Sequence, residues 1–234
     1  MARSFAIIVA GGTGSRMGTE TPKQFLPLAG LPVMMHSIIA FTHCANPPQI
    51  IVVIHPDLRG EWLSLCQAHD FNIPHMLVDG GSTRFESVKN GLTAIKSAAP
   101  HVDSAQYTIA VHDAARPLVS PELIDETYRQ AAFTGAAALA IPATDSIRIV
   151  SGNRAKNNSH PRTHVYRMQT PQTFRASILY DAYQQADDGT FSDDASVVEK
   201  KGYPVTLVDG DTRNIKVTFA QDLAIAEILL QKHR

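Results

Sequence analysis

Cysteine is scarce in this chain: Cys44 and Cys66 are the two cysteines among 234 residues. They are far apart and form no CxxC motif, so we predict two reduced thiols rather than a disulfide or a metal-ligating pair. The formal net charge is only -1, which gives no reason to expect binding to nucleic acid or to a membrane surface. No apolar run reaches the ~18 residues of a membrane-spanning helix. An early strand-like run leaves no room for a signal peptide, so we expect a cytoplasmic protein.

Two common nucleotide-binding signatures are also missing from the first glycine-rich loop. No Gly-Lys-Ser/Thr completes a Walker motif, and Met17 interrupts a GxGxxG pattern. What is present is a strand-like run that ends at Ala10, followed by three glycines and two cations: Gly11, Gly12, Gly14, Arg16 and Lys23. Glycines let backbone N–H groups approach a ligand, and arginine and lysine bind phosphate oxygens. The loop therefore predicts a polyphosphate site, the alternative being a pair of solvated surface cations.

Strand-like and helix-like segments alternate along the chain, which predicts one α/β domain over residues 1–234 with a mostly parallel sheet and helices on both faces. The predicted strands are Phe5–Ala10, Ile50–His55, His75–Val78, Tyr107–His112, Ala136–Pro142 and Val205–Val208. The predicted helices are Val33–Cys44, Gly60–His69, Arg84–Ala98, Pro121–Thr134, Ala176–Ala186, Asp194–Lys201 and Ala220–Lys232. Ligands bind at the carboxyl ends of strands in such sheets.

One polar, basic segment, Ser151–Thr163, breaks this alternation. Strand-like stretches flank it at Ser146–Val150 and Thr163–Gln169. We predict that residues 143–170 form a β-arm that projects from the domain. The alternative is a mobile surface loop.

Two further loops lie where the carboxyl ends of strands are expected. In the first, Gly81 is followed by Ser82 and Ser87, whose hydroxyls suit a base or a ribose; the alternative is a plain turn with a helix cap. In the second, Asp113 and Ala114 precede Arg116. An aspartate at a strand end can meet a ribose, a substrate hydroxyl or hydrated Mg²⁺, and the alternative is a structural ion pair with Arg116.

Taken in order, the motifs resemble those of the 4-diphosphocytidyl-2-C-methyl-D-erythritol synthases, also called methylerythritol phosphate cytidylyltransferases. They are AGGTGSRM with PKQF, then DGG, VHDAARP, TPQ and NIKVT, and the resemblance extends from Ala6 to Leu230. It implies a Rossmann-like nucleotidyltransferase fold and a homodimer formed through the β-arm. It also implies transfer of CMP from CTP to 2-C-methyl-D-erythritol 4-phosphate.

The resemblance also implies roles for single residues. The nucleotide would be held by Ala10, Gly11, Gly12, Gly14, Gly81, Ser82, Ser87, Asp113 and Ala114. Arg16, Lys23 and Lys216 would neutralise the phosphates during catalysis. The second substrate would be bound by Asp113, Arg116, Ser146, Arg162, Thr170, Ser192 and Lys216, with Arg162 supplied by the second protomer. Ser146 and Ser192 stand where threonine is usual in the family, and both keep the hydroxyl.

The implied reaction needs no general base, because the attacking phosphate oxygen is already an anion. The ten histidines form no triad or metal spacing, so we interpret His112 beside Asp113 as structural. Mg²⁺ would be held mainly by the CTP phosphates, without an all-protein site. The alternatives are a ribitol-5-phosphate cytidylyltransferase, a UTP- or GTP-dependent sugar-1-phosphate transferase, and a nucleotide-binding regulator that has lost catalysis.

Overall fold

A computed structural model describes residues 4–11, 21–103 and 106–231. Its strands are β1 (Ser4–Ala10), β2 (Pro27–Leu28), β3 (Leu31–Pro32), β4 (Gln49–Ile54), β5 (Met76–Asp79), β6 (Thr108–Asp113), β7 (Ala136–Pro142), β8 (Ile147–Val150), β9 (Asn157–His160), β10 (Tyr166–Arg175) and β11 (Thr206–Asp209). Its α-helices are α1 (Val33–Thr42), α2 (Arg59–Ala68), α3 (Arg84–Ala98), α4 (Pro121–Thr134), α5 (Ala176–Ala182), α6 (Asp194–Lys200) and α7 (Ala220–Gln231).

Seven strands form the central sheet in the order β11-β7-β10-β6-β1-β4-β5. Strand β10 is antiparallel to both of its neighbours, and the other pairs are parallel. The predicted α/β fold with a mostly parallel sheet is therefore confirmed. The strand order reverses between β1 and β6, which opens a crevice at their carboxyl ends.

Both faces of the sheet are covered, as the nearly continuous apolar strands require. Alternate residues of β1 point to opposite faces: Ile8 belongs to the same apolar cluster as Met34 and Trp62, and Ile7 belongs to the cluster that contains Val88 and Leu179. Helices α1, α2 and α4 therefore cover one face, and α3, α5 and α6 cover the other. A small third cluster joins the β2–β3 hairpin to α7.

The β-arm differs from its prediction in how the strands pair. Strand β8 pairs antiparallel with β9, which lies inside the polar segment between the two stretches predicted as strands. The stretch predicted as the second arm strand instead contributes to β10 of the central sheet. The hairpin is closed by a short turn in which the Ser151 N–H donates to the Lys156 carbonyl at 2.9 Å.

Helix starts follow the local sequence closely. Thr83 and Ser120 accept hydrogen bonds from backbone N–H groups of α3 and α4, and Asp193 forms a capping box with Ser196 at α6. These side chains satisfy N–H groups that have no partner within the helix. Helix α5 ends at Ala182, four residues before the predicted end at Ala186. Within the described residues, no helix has both the length and the apolar character needed to cross a membrane.

Candidate active site

A cavity of about 470 Å³ lies at the crevice between the carboxyl ends of β1 and β6. That volume suits a small-molecule ligand. The described residues that line it come from all three predicted loops, from the late motif and, for His55, from the end of β4: Val9, Ala10, Gly11, Lys23, Gln24, His55, Gly81, Ser82, Thr83, Arg84, Ser87, Asp113, Ala114, Ala115 and Lys216. Segments up to about 200 residues apart in the sequence therefore meet at one edge of the sheet, as expected for this class of fold.

The first loop is described only in part. Ala10 and Gly11 line the cavity, and so does Lys23, which begins a short 3-10 helix. The predicted positions Gly12, Gly14 and Arg16 lie outside the described residues. Gln24, which was not among the predicted site residues, is buried and donates to the Ala10 carbonyl at 3.0 Å. This bond joins the end of β1 to the segment that carries Lys23.

The second loop is held by its own side chains. The Ser87 hydroxyl accepts from the Gly81 N–H at 3.1 Å and donates to the Thr83 carbonyl at 2.9 Å. Glu86 accepts from both the N–H and the hydroxyl of Ser82, at 2.8 and 2.6 Å. A Cβ on Gly81 would lie 2.3 Å from the Glu86 Cβ, so only glycine fits here without a shift of the backbone. The second loop is thus a rigid wall of the cavity.

Asp113 lies at the centre of a cluster of cations. Its carboxylate is 3.0 Å from Lys216 Nζ, 3.2 Å from Arg116 Nε and 3.8 Å from Arg84 Nε. Burial raises the pKa of this carboxyl, but Lys216, Arg84 and Arg116 outweigh burial and hold the pKa well below its usual range. Asp113 is therefore an anion, and the surrounding charge is net positive, which suits phosphate groups.

Arg116 connects this cluster to the late motif. Its guanidinium donates to the Asn214 carbonyl at 2.8 Å and to the Met168 carbonyl at 3.4 Å, besides its contact with Asp113. Gln169 also donates to the Asn214 carbonyl, at 3.3 Å, and Asn214 donates to the Thr170 carbonyl at 2.9 Å. The ion pair between Asp113 and Arg116, which was expected as the structural alternative, is therefore present, and Asp113 also lines the cavity.

Thr170 and His112 support Asp113 from behind. The Thr170 hydroxyl accepts from the Asp113 N–H at 3.0 Å and lies 3.0 Å from His112 Nδ1. His112 Nε2 lies 3.2 Å from the Arg116 carbonyl, which can only accept. The neutral imidazole is thus protonated at Nε2 and accepts from Thr170 at Nδ1. Burial lowers the pKa of His112 to about 4, which agrees with a structural rather than an acid–base role.

Of the seven predicted acceptor-binding residues, Asp113 and Lys216 line this cavity, and Arg116 and Thr170 contact Asp113 without lining it. The other three lie outside the cavity. Ser146 and Arg162 are exposed in the arm, where Arg162 donates to the Thr144 carbonyl at 2.7 Å. Ser192 is exposed and lines a smaller neighbouring cavity of about 220 Å³, which Arg84 also borders. Their roles toward a substrate remain predictions.

Three residues at or near the cavity were not predicted as site residues: His55 and Arg84 line it, and Asp194 lies behind it, paired with Arg84. Arg84 followed the glycines of the second loop, so its position was a usable signal. Asp194 follows its cap residue directly, and no local pattern distinguishes it from an ordinary first-turn acid.

The described residues offer little to a metal ion. They contain no group of three or more histidine, cysteine, aspartate or glutamate side chains placed to hold one. Asp113 is the one carboxylate among the described cavity residues, and its oxygens already face three cations. The donor set therefore does not form a metal site of its own.

Comparisons with known proteins agree with this geometry. The sequence profile of the 2-C-methyl-D-erythritol 4-phosphate cytidylyltransferase family matches residues 4–232. Proteins of that name from Porphyromonas gingivalis and Azobacteroides pseudotrichonymphae are 43% and 42% identical to this chain. The matches cover 97% of this chain and 98% of the first relative, and 98% of this chain and 100% of the second.

Solved structures are similar over the same length. A 2-C-methyl-D-erythritol 4-phosphate cytidylyltransferase from Thermus thermophilus is 31% identical, with a TM-score of 0.73 over 99% of this chain and 100% of that one. A 4-diphosphocytidyl-2C-methyl-D-erythritol synthase from Anaerococcus prevotii is 25% identical, with a TM-score of 0.80 over 97% of this chain and 96% of that one. With its motifs, fold and cavity in agreement, the chain belongs to the 2-C-methyl-D-erythritol 4-phosphate cytidylyltransferase family.

Proposed function

We propose that this chain transfers CMP from CTP to 2-C-methyl-D-erythritol 4-phosphate in isoprenoid biosynthesis. A phosphate oxygen of the acceptor attacks the α-phosphorus of CTP, the bond to the β-phosphate oxygen breaks, and pyrophosphate leaves. The products are 4-diphosphocytidyl-2-C-methyl-D-erythritol and pyrophosphate. The observation that carries the proposal is the cluster of Asp113 with Lys216, Arg116 and Arg84 at the cavity.

Different residues of the cavity bind different parts of CTP. Backbone groups at Ala10, Gly11 and Gly81, with Ser82 and Ser87, hold the base and ribose. Lys23 binds the triphosphate together with Arg16, which the structure does not describe. Because the acceptor phosphate is largely a dianion near neutral pH, the residues need only align two anions and offset their repulsion.

The acceptor lies on the side of β6. Lys216 approaches the α-phosphate from its position beside Asp113, and Asp113 and Arg116 orient the acceptor. Thr170 fixes the Asp113 backbone by accepting its N–H. No proton has to be removed from the nucleophile, so His112 remains neutral throughout.

Mg²⁺ enters in this proposal as part of the substrate, bound to the phosphate oxygens of CTP. Its charge lowers the repulsion between the two anions, and Mg²⁺ commonly relies on substrate phosphates rather than on a protein cage. Pyrophosphate release should stop with excess EDTA and return when Mg²⁺ is added in excess. Unchanged release in EDTA would contradict this part of the proposal.

The experiment for the overall function is a substrate panel. Purified protein is mixed with each of CTP, UTP, GTP and ATP and with either 2-C-methyl-D-erythritol 4-phosphate or ribitol 5-phosphate, and pyrophosphate is measured. We expect release with CTP and the methylerythritol compound. Faster release with ribitol 5-phosphate, or with another nucleotide, would contradict the proposal, and no release with any pair would favour a non-catalytic binding protein.

We also propose that the arm, residues 143–170, forms a homodimer and brings Arg162 to the acceptor site of the other protomer. Strands β8 and β9 form a separate two-stranded sheet, and Ile149 and Val150 are 52% and 50% exposed. A hairpin of this size is marginally stable alone in water, so a second surface would stabilise it.

Subunit mixing tests this part directly. Arg162→Ala and Lys216→Ala are each expected to be nearly inactive, but a mixed dimer would contain one intact site. Equal mixing should therefore restore about a quarter of the wild-type activity, as two-fold symmetry requires. No restoration after subunit exchange, or a fully active monomer in light scattering, would contradict the shared site.

A cytoplasmic location is proposed as well, supported by two free thiols and testable by cell fractionation.

A further inference from the structure

Arg84 lies between two carboxylates, one at the cavity and one buried behind it. Its Nη2 is 2.6 Å from Oδ2 of Asp194, and its Nε is 3.8 Å from Oδ1 of Asp113. The first distance is that of a strong charge-assisted hydrogen bond, and the second is too long for one. Arg84 is therefore tied to Asp194 and only electrostatically attracted to Asp113.

Asp194 is fixed more firmly than an ordinary surface acid. Its side chain is fully buried, and its second oxygen accepts from the Tyr183 hydroxyl at 2.6 Å. It is the first residue of α6, whose start is joined to β10 by Gln172. That glutamine donates to Asp193 at 2.7 Å and accepts from the Ala195 N–H at 2.8 Å. The position of the Asp194 carboxylate is thus set by the sheet itself.

The pairing has a consequence for the charges around Asp113. Lys216 is the nearest cation to Asp113, at 3.0 Å, and its side chain is 39% exposed at the cavity. If Lys216 leaves Asp113 for a phosphate, the carboxylate keeps Arg116, which is also committed to backbone carbonyls, and Arg84. A buried carboxylate that loses its cationic neighbours is strongly destabilised. Arg84 can compensate by shortening a contact that is now 3.8 Å long.

We propose that Asp194 is a positioning residue: it holds Arg84 beside Asp113, so that Asp113 stays ionised and in place when Lys216 moves onto the substrate. This inference rests on the proposed function, which assigns Lys216 to the α-phosphate and Asp113 to the acceptor. Asp194 touches neither substrate. Its effect reaches the acceptor through Arg84 and Asp113.

The test is a double-mutant cycle with Asp194→Asn and Arg84→Gln. Asparagine keeps the volume and can still accept from Tyr183, but it loses the charge that orients Arg84. We expect the KM for the acceptor to rise by about tenfold, within the range of coupled neighbours, and the KM for CTP to change by less than about twofold. If Asp194 acts through Arg84, the double variant should behave like Arg84→Gln alone.

Asp181→Asn is the matched control. Asp181 also accepts from a tyrosine, Tyr203 at 2.9 Å, and pairs with a cation, Lys201 at 3.3 Å, but it does not line the cavity. It should leave both KM values unchanged. If Asp194→Asn does not fold, Tyr183→Phe removes only the supporting hydrogen bond and should shift the acceptor KM in the same direction, by a smaller factor.

The outcomes separate this inference from the proposed function. Wild-type kinetics for Asp194→Asn, equal changes in both KM values, or an effect that adds in full to that of Arg84→Gln would overturn the positioning role. If Tyr183→Phe has to be used because Asp194→Asn does not fold, an unchanged KM for the acceptor would likewise overturn the positioning role. CTP binding and turnover by the wild-type protein are measured first, by calorimetry and pyrophosphate release. Their absence would contradict the proposed function, and with it the basis of this inference.

Discussion

Lys216 Nζ lies 3.0 Å from Oδ2 of Asp113, and both side chains line the cavity at the carboxyl ends of β1 and β6. The two residues are about 100 positions apart in the sequence. They meet because the Val217 N–H donates to the Ala115 carbonyl at 2.8 Å, which ties the late motif to the loop after β6. Lys216 is thereby held at the cavity without being buried, since its side chain is 39% exposed.

Replacement of Lys216 should therefore affect the chemical step more than stability. For Lys216→Met we expect kcat to fall by about 10²–10³, equivalent to ~3–4 kcal/mol, as for loss of one donor to a transition state. Lys96→Met is a suitable control, because Lys96 pairs with Asp103 and does not line this cavity. A Lys216→Met kcat within twofold of the wild-type value would refute the role.

Gln24 provides a second prediction. Its buried amide donates to the Ala10 carbonyl, so Gln24→Leu leaves that carbonyl without this bond. We expect the free energy of unfolding to fall by about 1–3 kcal/mol and the KM for CTP to rise, because Ala10 lines the cavity in which we propose that CTP binds. Urea unfolding and steady-state kinetics measure the two effects. Gln67→Leu, on the outer surface of α2, should change neither, and a Gln24→Leu protein with wild-type stability and CTP KM would contradict the prediction.

Substitution of Gly81 by alanine tests whether the second loop must be rigid. In Gly81→Ala the new methyl group would lie 2.3 Å from the Glu86 Cβ, so the loop must shift and the Gly81 N–H must move. That shift breaks the Gly81 N–H bond to Ser87 and displaces this wall of the cavity. We therefore expect CTP binding in calorimetry to weaken by about tenfold, within the ~1–3 kcal/mol that an unmade hydrogen bond costs.

Gly60→Ala is the matched control for Gly81→Ala. Nothing lies within 4 Å of a Cβ at Gly60, which is in α2. Alanine there should raise the free energy of unfolding by up to about 1 kcal/mol and leave CTP binding unchanged. Equal CTP affinity in the two variants would show that the Gly81 backbone is not needed.

The sequence predicted what depends on local patterns. Strand β7 and helices α3 and α4 have the predicted bounds, because apolar periodicity and caps such as Thr83 and Ser120 lie within a few residues of each boundary. The described parts of all three loops line one cavity, at the strand ends where the loops were predicted to lie. The family's motifs, rather than periodicity, indicated Lys216 and Thr170.

What could not be predicted depends on distant or weak signals. Arg84 and Asp194 are 110 residues apart, and no local spacing links them. Strand β9 consists of Asn157–His160, whose residues have low strand propensity, so the arm was predicted without a strand at this position. The antiparallel direction of β10 is set by its position between β6 and β7, which the sequence pattern alone does not reveal.

The buried His112 predicts a pH dependence of stability. Burial lowers its pKa to about 4 from an ordinary 6.5, so between these values the unfolded chain binds a proton that the folded protein does not. The free energy of unfolding should therefore fall as pH decreases through this window, and the stabilising contribution of the neutral imidazole is fully present only above about pH 6.5. From pH 7 to pH 5 the expected loss is about 2 kcal/mol.

His112→Gln isolates this contribution. The variant should be less stable than wild type at pH 7, because glutamine does not reproduce both hydrogen bonds of the imidazole, but its stability should change less between pH 7 and pH 5. His69→Gln, at the exposed end of α2, should keep the wild-type slope. Urea unfolding followed by circular dichroism at pH 5, 6 and 7 gives the three slopes.

The pH range of this experiment stays above the usual pKa of aspartate, about 3.9. Asp113 therefore remains ionised in both the folded and the unfolded state and cannot account for the difference in slope. Identical slopes for wild type and His112→Gln would mean that His112 is protonated as readily in the folded protein as in the unfolded chain.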